Sequence, residues 1–470
     1  MLGAFFLPNA FGDAYVYIRD IGVMSTKLAA RSFALTDLFG FWLPLYQFIC
    51  ALINVAVGNG FYVGKIVSAG FGIGVCLLVY SITLRLVANR TAALLAFLLI
   101  ALNPLHIFNS ASAMTDVPHA FFVSASLYFI LKRGWIGAAI FGALAGFTRV
   151  ESWMFIALIP AIQFLRERRV SFLVIIILTI PPLLWFYISW KATGNWLACF
   201  QARQQYHDWL LTMNPRLARF TLPQILRDIA TLLVSCDIPV LFATFVAVWK
   251  ILPRLRRLKD SEISNETLSI IAPLAFFFAF LGLLVAAYLT HQQPIIFPRY
   301  GLILFGLGIP PLFWTILRLR TEKPRLARRL VVSVIVICLF DASVQMIGVV
   351  GSLKQYSVQR DIADYLRDNF SPSSGGRLFC DEGTVRSLSG ISAERFLTTS
   401  DAPREREAFL TFLTHEHVEY LVVVDREDST PSKLFRSLEY GQRIGSFEFM
   451  MNRRTAFLPT NIRVYRAHLE

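Results

Sequence analysis

The sequence predicts a mainly α-helical, polytopic membrane protein with about ten or eleven transmembrane helices, followed by a soluble α/β domain at the C-terminus. Three observations support this fold class. Of the 470 residues, 56% are hydrophobic, which is too apolar for one soluble domain, and many lie in runs long enough to cross a bilayer. Lys and Arg crowd into every second connection between these runs. After Gly351 the charge content becomes ordinary and the apolar runs become short.

The basic connections give the chain an orientation, because short loops rich in Lys and Arg remain in the cytoplasm. They lie at 85–90, 132–133, 166–169, 250–259 and 318–329. The loops between them, and everything after Gly351, are therefore expected on the outer side of the inner or plasma membrane. These inner loops also account for the net charge of +14, so we expect no nucleic-acid partner.

The chain starts with a short apolar segment, Met1 to Ala10, and shows no signal peptide with a basic region and a cleavage site. The segment is too short to cross a bilayer, yet the orientation places Gly12 outside. We expect either that the natural start lies upstream or that this segment is the outer end of a first helix. Residues 11–60 then form an outer loop. Its apolar part, Phe41 to Val57, is predicted to lie at the membrane interface, because a span here would invert every later basic loop.

The transmembrane domain is expected to cover residues 1–350, and the soluble domain residues 351–470. The predicted spans are apolar segments separated by polar connections, and they lie at Phe61–Leu84, Thr91–Phe108, Val117–Leu131, Trp135–Phe147, Trp153–Leu165, Val170–Trp190, Ile229–Trp249, Leu268–Leu289, Gly301–Leu317 and Leu330–Val350. The fourth and fifth are predicted to form a hairpin whose tip lies deep on the outer side. Irregular backbone at that depth is stable only where it lines a cavity.

The soluble domain shows alternating strand and helix patterns, which indicate a small α/β fold. Strands are predicted at Arg377–Cys380, Tyr420–Val424 and Ile462–Tyr465, and helices at Gln359–Asn369 and Arg404–His415. Gly-Gly and Ser-Pro pairs mark loops between these elements.

Two acidic residues stand where apolar segments meet the outer face. Asp13 follows the N-terminal segment, and its alternative role is that of a solvated loop residue. Asp116 opens a span in the sequence Thr115-Asp116-Val117-Pro118. An Asp at such a position also caps a helix and suits its positive end. The residues alone therefore leave capping and catalysis equally open for Asp116.

Charged residues also occur near the outer ends of later spans. Arg149 and Glu151 lie at the hairpin tip, where a charge at membrane depth costs about 2.5–3.5 kcal/mol and therefore finds a partner or lines a cavity. An internal ion pair and an anion-binding Arg149 are both consistent with this position. Arg299 and Tyr300 close another outer loop, from which Arg299 can reach headgroups or the phosphate of a lipid.

Other polar patterns carry less information. His207 lies beside Asp208 in an outer segment with too few ligands for a metal site, so we expect it at the surface or along a substrate. Gly70, Gly72 and Gly74 lie inside an apolar span, where helix packing explains them better than nucleotide binding. No Cys or His cluster predicts a metal or redox site, and no P-loop predicts a nucleotide-sugar donor.

Two further acids lie within apolar runs. Asp237 precedes Ile-Pro, which predicts a helix cap, whereas nothing in the sequence accounts for Asp341. Of the six cysteines, only Cys199 and Cys380 are expected on the oxidising side, and a disulfide between them is not favoured.

Taken in order, these residues resemble the polytopic GT-C glycosyltransferases of glycosyltransferase family 39, which include protein O-mannosyltransferases and lipid A aminoarabinose transferases. The ordered motifs are Gly12-Asp13-Ala14-Tyr15, Pro44-Leu45-Tyr46, Asn103-Pro104, Thr115-Asp116-Val117-Pro118, Gly146 to Glu151, Thr193-Gly194-Asn195 and Arg299-Tyr300. The resemblance covers nearly the whole chain, including an outer soluble tail. The chain departs from it in lacking a full first helix and in carrying one acid at Asp13 where many members have two. The single acid argues against a metal-dependent variant; a divalent metal stays an open alternative, and no cofactor is firmly expected.

The resemblance implies a hexosyl- or pentosyltransferase that moves a sugar from a polyprenyl phosphate to a glycan, lipid or protein acceptor on the outer side, with inversion. Asp13 is the implied general base, and Asp116 orients the acceptor or acts as a second acid. The implied substrate-binding residues are Arg299, Tyr300, Arg149, Glu151, His207 and Tyr15.

Two alternatives remain. A transporter or flippase for lipid-linked saccharides favours repeated halves and charges near the midplane, and neither is evident here. A binding or assembly subunit of an envelope pathway would explain the short N-terminus and the single Asp13 by lost catalysis.

Overall fold

The computed structural model of the chain describes residues 7–9, 12–213, 221–256, 265–290, 292, 296–353, 356–371, 375–425, 429–435, 442–455 and 461–468. The predictions for Met1 to Ala10 fall largely outside these residues. The α-helices, numbered in chain order, are α1 (Asp13–Ala29), α2 (Leu45–Val57), α3 (Gly60–Val87), α4 (Arg90–Ala101), α5 (Pro104–Ser110), α6 (Asp116–Leu131), α7 (Trp135–Gly146), α8 (Phe155–Glu167), α9 (Phe172–Thr193), α10 (Ala198–Met213), α11 (Leu222–Cys236), α12 (Ile238–Arg256), α13 (Asn265–Leu289), α14 (Gly301–Glu322), α15 (Pro324–Leu353), α16 (Ser357–Asn369), α17 (Gly383–Ser389), α18 (Arg406–His415) and α19 (Thr430–Leu434). Short 3-10 helices lie at Leu35–Leu38, Val150–Met154, Pro298–Tyr300 and Ala393–Arg395.

Among the residues that the structure describes, five helical segments are long and apolar enough to cross a membrane: Gly60–Val87, Phe172–Thr193, Ser269–Leu289, Pro298–Glu322 and Pro324–Gly351. Within the described ranges, two bent helix pairs raise this number to seven if each pair counts as one span. The three other predicted spans coincide with α6, α7 and α8, which have 16, 12 and 13 residues. These helices are shorter than the ~20 residues that cross a bilayer. The predicted class, a mainly α integral membrane protein with a C-terminal sheet, is confirmed.

Asparagine caps fix where two of these helices begin. The Oδ1 atoms of Asn89 and Asn103 each accept a hydrogen bond, 2.9 Å long, from the backbone N–H three residues later. The first N–H groups of a helix have no partner inside it, so such a side chain stabilises the helix start. The cap at Asn103 separates α5 from α4, and the two helices meet at 63° where one straight span was predicted.

The second bend falls at Asp237, inside the span predicted at Ile229–Trp249, where α11 and α12 meet at 83°. Asp237 has a φ of 65°, and its carboxylate is hydrogen-bonded to the backbone of Val240, as expected of a cap. Asp341 of α15 supplies a second carboxylate, because its Oδ2 accepts a 3.0 Å hydrogen bond from the N–H of Ile238. The start of α12 therefore accounts for both buried acids.

The predicted hairpin is present and its tip is tied down from two directions. The Nε1–H of Trp153, in the 3-10 helix at the tip, donates a 3.0 Å hydrogen bond to the carbonyl of Gly146 at the end of α7. The backbone N–H of Leu45, at the start of α2, donates a 3.3 Å bond to the carbonyl of Phe147. The tip is therefore fixed in position although its backbone is irregular.

The predicted interfacial segment forms α2, whose 13 residues are too few to span a bilayer. Leu52, Ile53, Val55 and Val57 on this helix are exposed, which suits contact with lipid. Helix α1 is a further element of the outer loop that the sequence pattern did not predict.

Two compact units divide the chain. Residues 1–9 and 21–349 form one, which we call the membrane unit, and residues 10–20 and 350–470 form the other, the C-terminal unit. The domain boundary expected from composition lies between 350 and 351, and the two units are divided between 349 and 350. Residues 10–20 differ from the expectation, because they group with the C-terminal unit.

The C-terminal unit contains a five-stranded sheet in the order β2-β1-β3-β5-β4. Its strands are β1 (Arg377–Cys380), β2 (Phe396–Leu397), β3 (Val418–Val424), β4 (Phe447–Arg454) and β5 (Asn461–Ala467). Strand β1 pairs in parallel with β2 and β3, whereas β5 pairs antiparallel with β3 and β4. The three strands and two helices predicted from the sequence are present, and β2 and β4 are additional.

Helices cover both faces of this sheet, because alternate residues of a strand point to opposite sides. On one face Leu378 packs in a buried cluster with Ile362 of α16. On the other face Phe379 packs with Phe409 of α18. The carboxyl ends of the three parallel strands are thereby held at one edge of a rigid sheet.

Candidate active site

A narrow cavity in the membrane unit gathers five of the residues predicted as site residues, and we call it the Asp116 cavity. Its polar lining consists of Asp116, His119, Arg149, Glu151, Arg299 and Tyr300. These residues come from the start of α6, the hairpin tip and the 3-10 helix before α14. Its apolar lining comes from α13 and α14 and consists of Phe280, Leu283, Leu284, Ala287, Ile303 and Leu304.

Arg149 is the centre of an ion-pair network in this cavity. Its Nη1 lies 2.9 Å from Oδ1 of Asp116, and its Nη2 lies 2.8 Å from Oε1 of Glu151. The ion pair between Arg149 and Glu151 that the sequence left as one of two alternatives is therefore present. The Asp116 side chain is only 6% exposed. Since removing one member of a buried ion pair leaves an uncompensated charge, the network strongly restrains both carboxylates.

The second oxygen of Asp116 has a different environment. Oδ2 is buried and has no hydrogen-bond partner among the described residues. Helix α6 begins at Asp116, and the Asp116 carboxylate binds Arg149 through Oδ1 rather than capping the helix. Capping alone, one of the two alternatives from the sequence, thus does not describe Asp116. A buried acceptor without a donor is costly, so Oδ2 is suited to accept a hydrogen bond from a ligand.

His119 links α6 to the hairpin tip. It lies three residues after Asp116 and therefore on the same face of the helix. Its Nε2 lies 2.7 Å from Oγ of Ser152, and its ring meets Phe280 edge-on at a centroid distance of 5.7 Å. These contacts hold the polar and apolar walls of the cavity together.

Tyr300 brings two guanidinium groups to the same aromatic ring. The Cζ atoms of Arg299 and Arg149 lie 5.5 and 5.8 Å from the centroid of the Tyr300 ring. Arg299 also lies 5.3 Å from the ring of Phe297. Such cation–π contacts hold a guanidinium in place. The cavity therefore brings two guanidinium groups together next to Asp116.

The remaining predicted site residues lie elsewhere. Asp13 and Tyr15 belong to the C-terminal unit, where Asp13 opens α1 at a helix end that favours a carboxylate. Tyr15 is buried, its ring 5.5 Å from that of Tyr356, and its carbonyl accepts a bond from Oγ of Ser387. The structure thus gives Tyr15 a packing role and adds no support for substrate contact.

His207 lies in α10, with its Nδ1 3.5 Å from Oδ1 of Asp208, and does not line the Asp116 cavity. In the part of the chain that the structure describes, no three His, Cys, Asp or Glu side chains are grouped to hold a metal ion. All six cysteines are free, including Cys199 and Cys380.

Sequence reasoning missed His119 and the whole apolar wall. His119 had a usable signal, since a position three residues after a candidate Asp shares its helix face. The apolar residues had none, because α13 and α14 are apolar along most of their length and only packing selects the side that faces the cavity.

Comparisons with known proteins bear on this site directly. Residues 44–162 match the model of a protein family described as dolichyl-phosphate-mannose-protein mannosyltransferase. The matched segment contains Asp116, His119, Arg149 and Glu151. The sequence matches none of the curated proteins compared with it.

Solved structures resemble the chain over most of its length. ArnT from Cupriavidus metallidurans bound to undecaprenyl phosphate is 13% identical, with a TM-score of 0.53, and the match covers 94% of this chain and 92% of that one. The archaeal oligosaccharyltransferase AglB from Archaeoglobus fulgidus, in complex with an inhibitory peptide and a dolichol-phosphate, is 11% identical, with a TM-score of 0.46 over 87% of this chain and 65% of that one.

The likeness to ArnT shows a shared fold. Together with the family match, it confirms the resemblance to GT-C proteins that the ordered motifs predicted. The predicted enzyme class is confirmed with it: the protein is a membrane glycosyltransferase.

Proposed function

We propose that the protein transfers a sugar from a polyprenyl-phosphate donor to an acceptor on the outer side of the membrane, with inversion at the anomeric carbon. The composition of the Asp116 cavity carries this proposal, because charged residues suited to a phosphate meet apolar residues suited to a prenyl chain in one space. A water-soluble nucleotide sugar would gain nothing from the apolar wall. The structural neighbour ArnT, solved with undecaprenyl phosphate, supports the same donor class.

The size of the cavity indicates which part of the donor it holds. Its volume is about 100 Å³, whereas sites that enclose a whole small molecule measure about 300–1,000 Å³. We therefore assign it to the phosphate and the first part of the prenyl chain. The sugar then extends beyond the cavity towards the acceptor.

The transfer step follows from where charge develops. The acceptor hydroxyl attacks the anomeric carbon from the face opposite the phosphate, the sugar–phosphate C–O bond breaks, and the bonding electrons leave with the polyprenyl phosphate. Arg299 stabilises this leaving group, since a fixed cation is worth most where negative charge grows in a dry site. Arg149 contributes less to the phosphate, because two carboxylates already bind its guanidinium, and its main role is to position Asp116.

A carboxylate takes the proton of the attacking hydroxyl. We propose Asp13 as this general base from its position in the sequence motif. Asp116 orients the acceptor or serves as the second acid, and its buried Oδ2 supports this role because it is suited to accept a hydroxyl hydrogen bond. Glu151 pairs with the second terminal nitrogen of Arg149 and so helps to keep this guanidinium next to Asp116.

The proposed side of the reaction rests on the basic loops of the sequence. It is tested in intact cells with a membrane-impermeant maleimide and two cysteine variants at exposed arginines. Arg360→Cys in the C-terminal unit should be labelled, and Arg168→Cys in a predicted inner loop should be labelled only after lysis. The opposite pattern would place the C-terminal unit in the cytoplasm and overturn the assigned side.

The activity itself is tested with purified protein in liposomes that contain a radiolabelled polyprenyl-phosphate sugar, with an extract of the source cells as acceptor. Movement of label into a water-soluble or lipid acceptor is the expected result. Movement of intact donor across the bilayer would instead support the flippase alternative, and neither event would support an assembly subunit. Asp13→Asn should lower the transfer rate severely, and near wild-type transfer in this variant would remove Asp13 as the base; Asp208→Asn, at an exposed Asp, is the control.

A further inference from the structure

A second cavity lies entirely within the C-terminal unit, at the carboxyl edge of its parallel strands. Its volume is about 440 Å³, and it is lined by Arg19, Asp381, Arg386, Phe396, Thr398, Thr399, Ser400, Asp401 and Ser429. We call it the Asp381 cavity. Its size lies within the range of about 300–1,000 Å³ that is usual for small-molecule sites.

The topology of the sheet explains why a cavity forms here. Asp381 follows β1, Thr398 follows β2, and Ser429 lies in the connection after β3. From β1 the chain continues to β2 on one side, whereas β3 lies on the other side of β1. Connections that leave neighbouring parallel strands in opposite directions open a crevice at the carboxyl ends, where ligands of open α/β sheets bind.

The carboxylates of this cavity accept hydrogen bonds from other residues of the cavity lining. Both oxygens of Asp381 are occupied, since Oδ1 accepts from the N–H of Thr399 and Oδ2 accepts from the hydroxyls of Thr399 and Ser429, each at 2.7 Å. Oδ2 of Asp401 accepts from the N–H and the hydroxyl of Thr398, each at 2.8 Å. The acids therefore fix the loops after all three strands, and both oxygens of Asp381 are occupied.

The two cations of the cavity differ in how many partners they have within the protein. Arg386 on α17 has a buried Nε with no hydrogen-bond partner in the described part of the chain. Arg19 on α1 is held beside the cavity by Asp20, whose Oδ1 lies 2.9 Å from its Nη2. A buried guanidinium nitrogen without an acceptor is costly unless a ligand supplies one.

We propose that the Asp381 cavity binds the phosphate group of a phosphorylated ligand. Arg386 is its main donor, and Arg19 and the hydroxyls around Ser400 complete the contacts. A planar carboxylate is satisfied by one bidentate arginine, whereas donors on three separate elements suit a tetrahedral oxyanion. Phosphate is the common biological group of that shape, and it occurs both on soluble sugars and on lipid headgroups.

The test uses the full chain in nanodiscs of zwitterionic lipid, with binding of radiolabelled inorganic phosphate measured by equilibrium dialysis at constant ionic strength. All proteins in this test carry Arg299→Gln, which weakens phosphate binding in the Asp116 cavity to the same extent in each of them. Differences in phosphate affinity between the variants then report on the Asp381 cavity alone, and the proposed donor site is tested in a separate experiment. Arg386→Gln should lower phosphate affinity by about tenfold or more, because a charge-assisted bond is lost. Arg360→Gln, at an exposed arginine of the same unit, should leave the affinity unchanged.

A second variant protects the test against misfolding. Arg386→Lys keeps the charge but loses the planar fork, so its phosphate affinity should fall between those of the parent and Arg386→Gln. Equal phosphate affinity in the parent, Arg386→Gln and Arg386→Lys would overturn the proposal, whether or not Arg299 binds the donor phosphate. Displacement of phosphate by glucose 1-phosphate identifies a soluble ligand, and displacement by nanodiscs containing phosphatidic acid identifies a headgroup. Displacement by neither would also overturn it.

Discussion

In the Asp116 cavity of the membrane unit, Arg149 is paired with two carboxylates, and Oδ2 of Asp116 is left without a hydrogen-bond partner among the described residues. In the Asp381 cavity of the C-terminal unit, the Asp381 carboxylate is occupied by hydroxyl and amide donors, and Nε of Arg386 is left without a hydrogen-bond partner among the described residues. The first cavity also has an apolar wall, whereas the lining of the second is mostly polar and charged. Both sites therefore combine Arg with Asp and both are proposed to hold a phosphate, but only the Asp116 cavity also leaves a carboxylate oxygen that can accept a hydrogen bond from a hydroxyl.

This difference teaches that the presence of Arg and Asp in a cavity does not by itself identify the ligand. What decides is which group already has its partners within the protein, because only the remaining group gains from a ligand. A spare acceptor at Asp116 suits a hydroxyl that is about to react. A spare donor at Arg386 suits an anion that is only held. Each of the following substitutions tests one side of this contrast.

The largest expected effect is that of Asp116→Asn. The amide is close in size to the carboxylate, but it removes the charge that pairs with Arg149 and the acceptor that we assign to the acceptor hydroxyl. We expect the transfer rate at saturating donor to fall by about 100-fold or more, because an acceptor hydroxyl that loses its orienting contact is misplaced for attack. The equivalent change in the other cavity, Asp381→Asn, should leave the rate close to wild type. Similar rates for Asp116→Asn and wild type would remove Asp116 from the reaction.

Arg299→Ala should produce the next largest effect, and it should act on donor binding rather than on the acceptor. Loss of a charge-assisted contact to the phosphate should weaken donor affinity by about 10- to 100-fold. The measurement is displacement of a labelled polyprenyl phosphate from the purified protein. Arg318→Ala, at an arginine that pairs with Glu266 outside the Asp116 cavity, is the matched control. Unchanged donor affinity in Arg299→Ala would show that the phosphate lies elsewhere.

How much of the fold and of the Asp116 cavity the sequence predicts depends on how far apart along the chain the contacting residues lie. The Arg149–Glu151 pair and the hairpin follow from neighbouring residues, and the strands β1, β3 and β5 follow from short apolar runs. The pairing of Asp116 with Arg149 joins residues from separate elements, so no local pattern reveals it. The same holds for the cap that Asp341 provides to α12, which bends a run that reads as one straight span.

The Asp381 cavity was out of reach of sequence reasoning for a further reason. Its lining comes from the ends of three strands and from α1 and α17, and it can be located only once the order of the sheet is known. Strand β2 has two residues, too few to give an alternating pattern, and Arg386 looks like any charged helix residue.

Asp381→Asn should lower the free energy of unfolding of the C-terminal unit by about 1–3 kcal/mol, because the hydrogen bonds from Thr399 and Ser429 to the Asp381 carboxylate are weakened. Cys380 provides the readout. Burial raises the pKa of its thiol to about 12, so at pH 8 it is protonated and reacts with a maleimide only when the unit opens and its pKa returns to ~8.5. Labelling should therefore be faster in Asp381→Asn than in wild type and should increase as pH rises towards 8.5.

Asp361→Asn, at an exposed Asp on α16, is the control for this measurement and should label at the wild-type rate. If Asp381→Asn labels no faster than this control, the loops after the parallel strands are not held by Asp381. The contrast between the two cavities would then lose its support on the C-terminal side.

The smallest expected effect concerns Tyr300, whose ring contacts both Arg149 and Arg299. The contact depends on the face of the ring and not on the hydroxyl, so Tyr300→Phe should bind the donor as wild type does. Tyr300→Leu removes the aromatic face while keeping an apolar side chain, and it should weaken donor binding by about threefold, in keeping with a partly exposed cation–π contact. The same displacement assay resolves the two variants. An equal loss in Tyr300→Phe and Tyr300→Leu would instead assign the effect to the phenol oxygen, and the charged end of the Asp116 cavity would then depend on a hydrogen bond rather than on the ring.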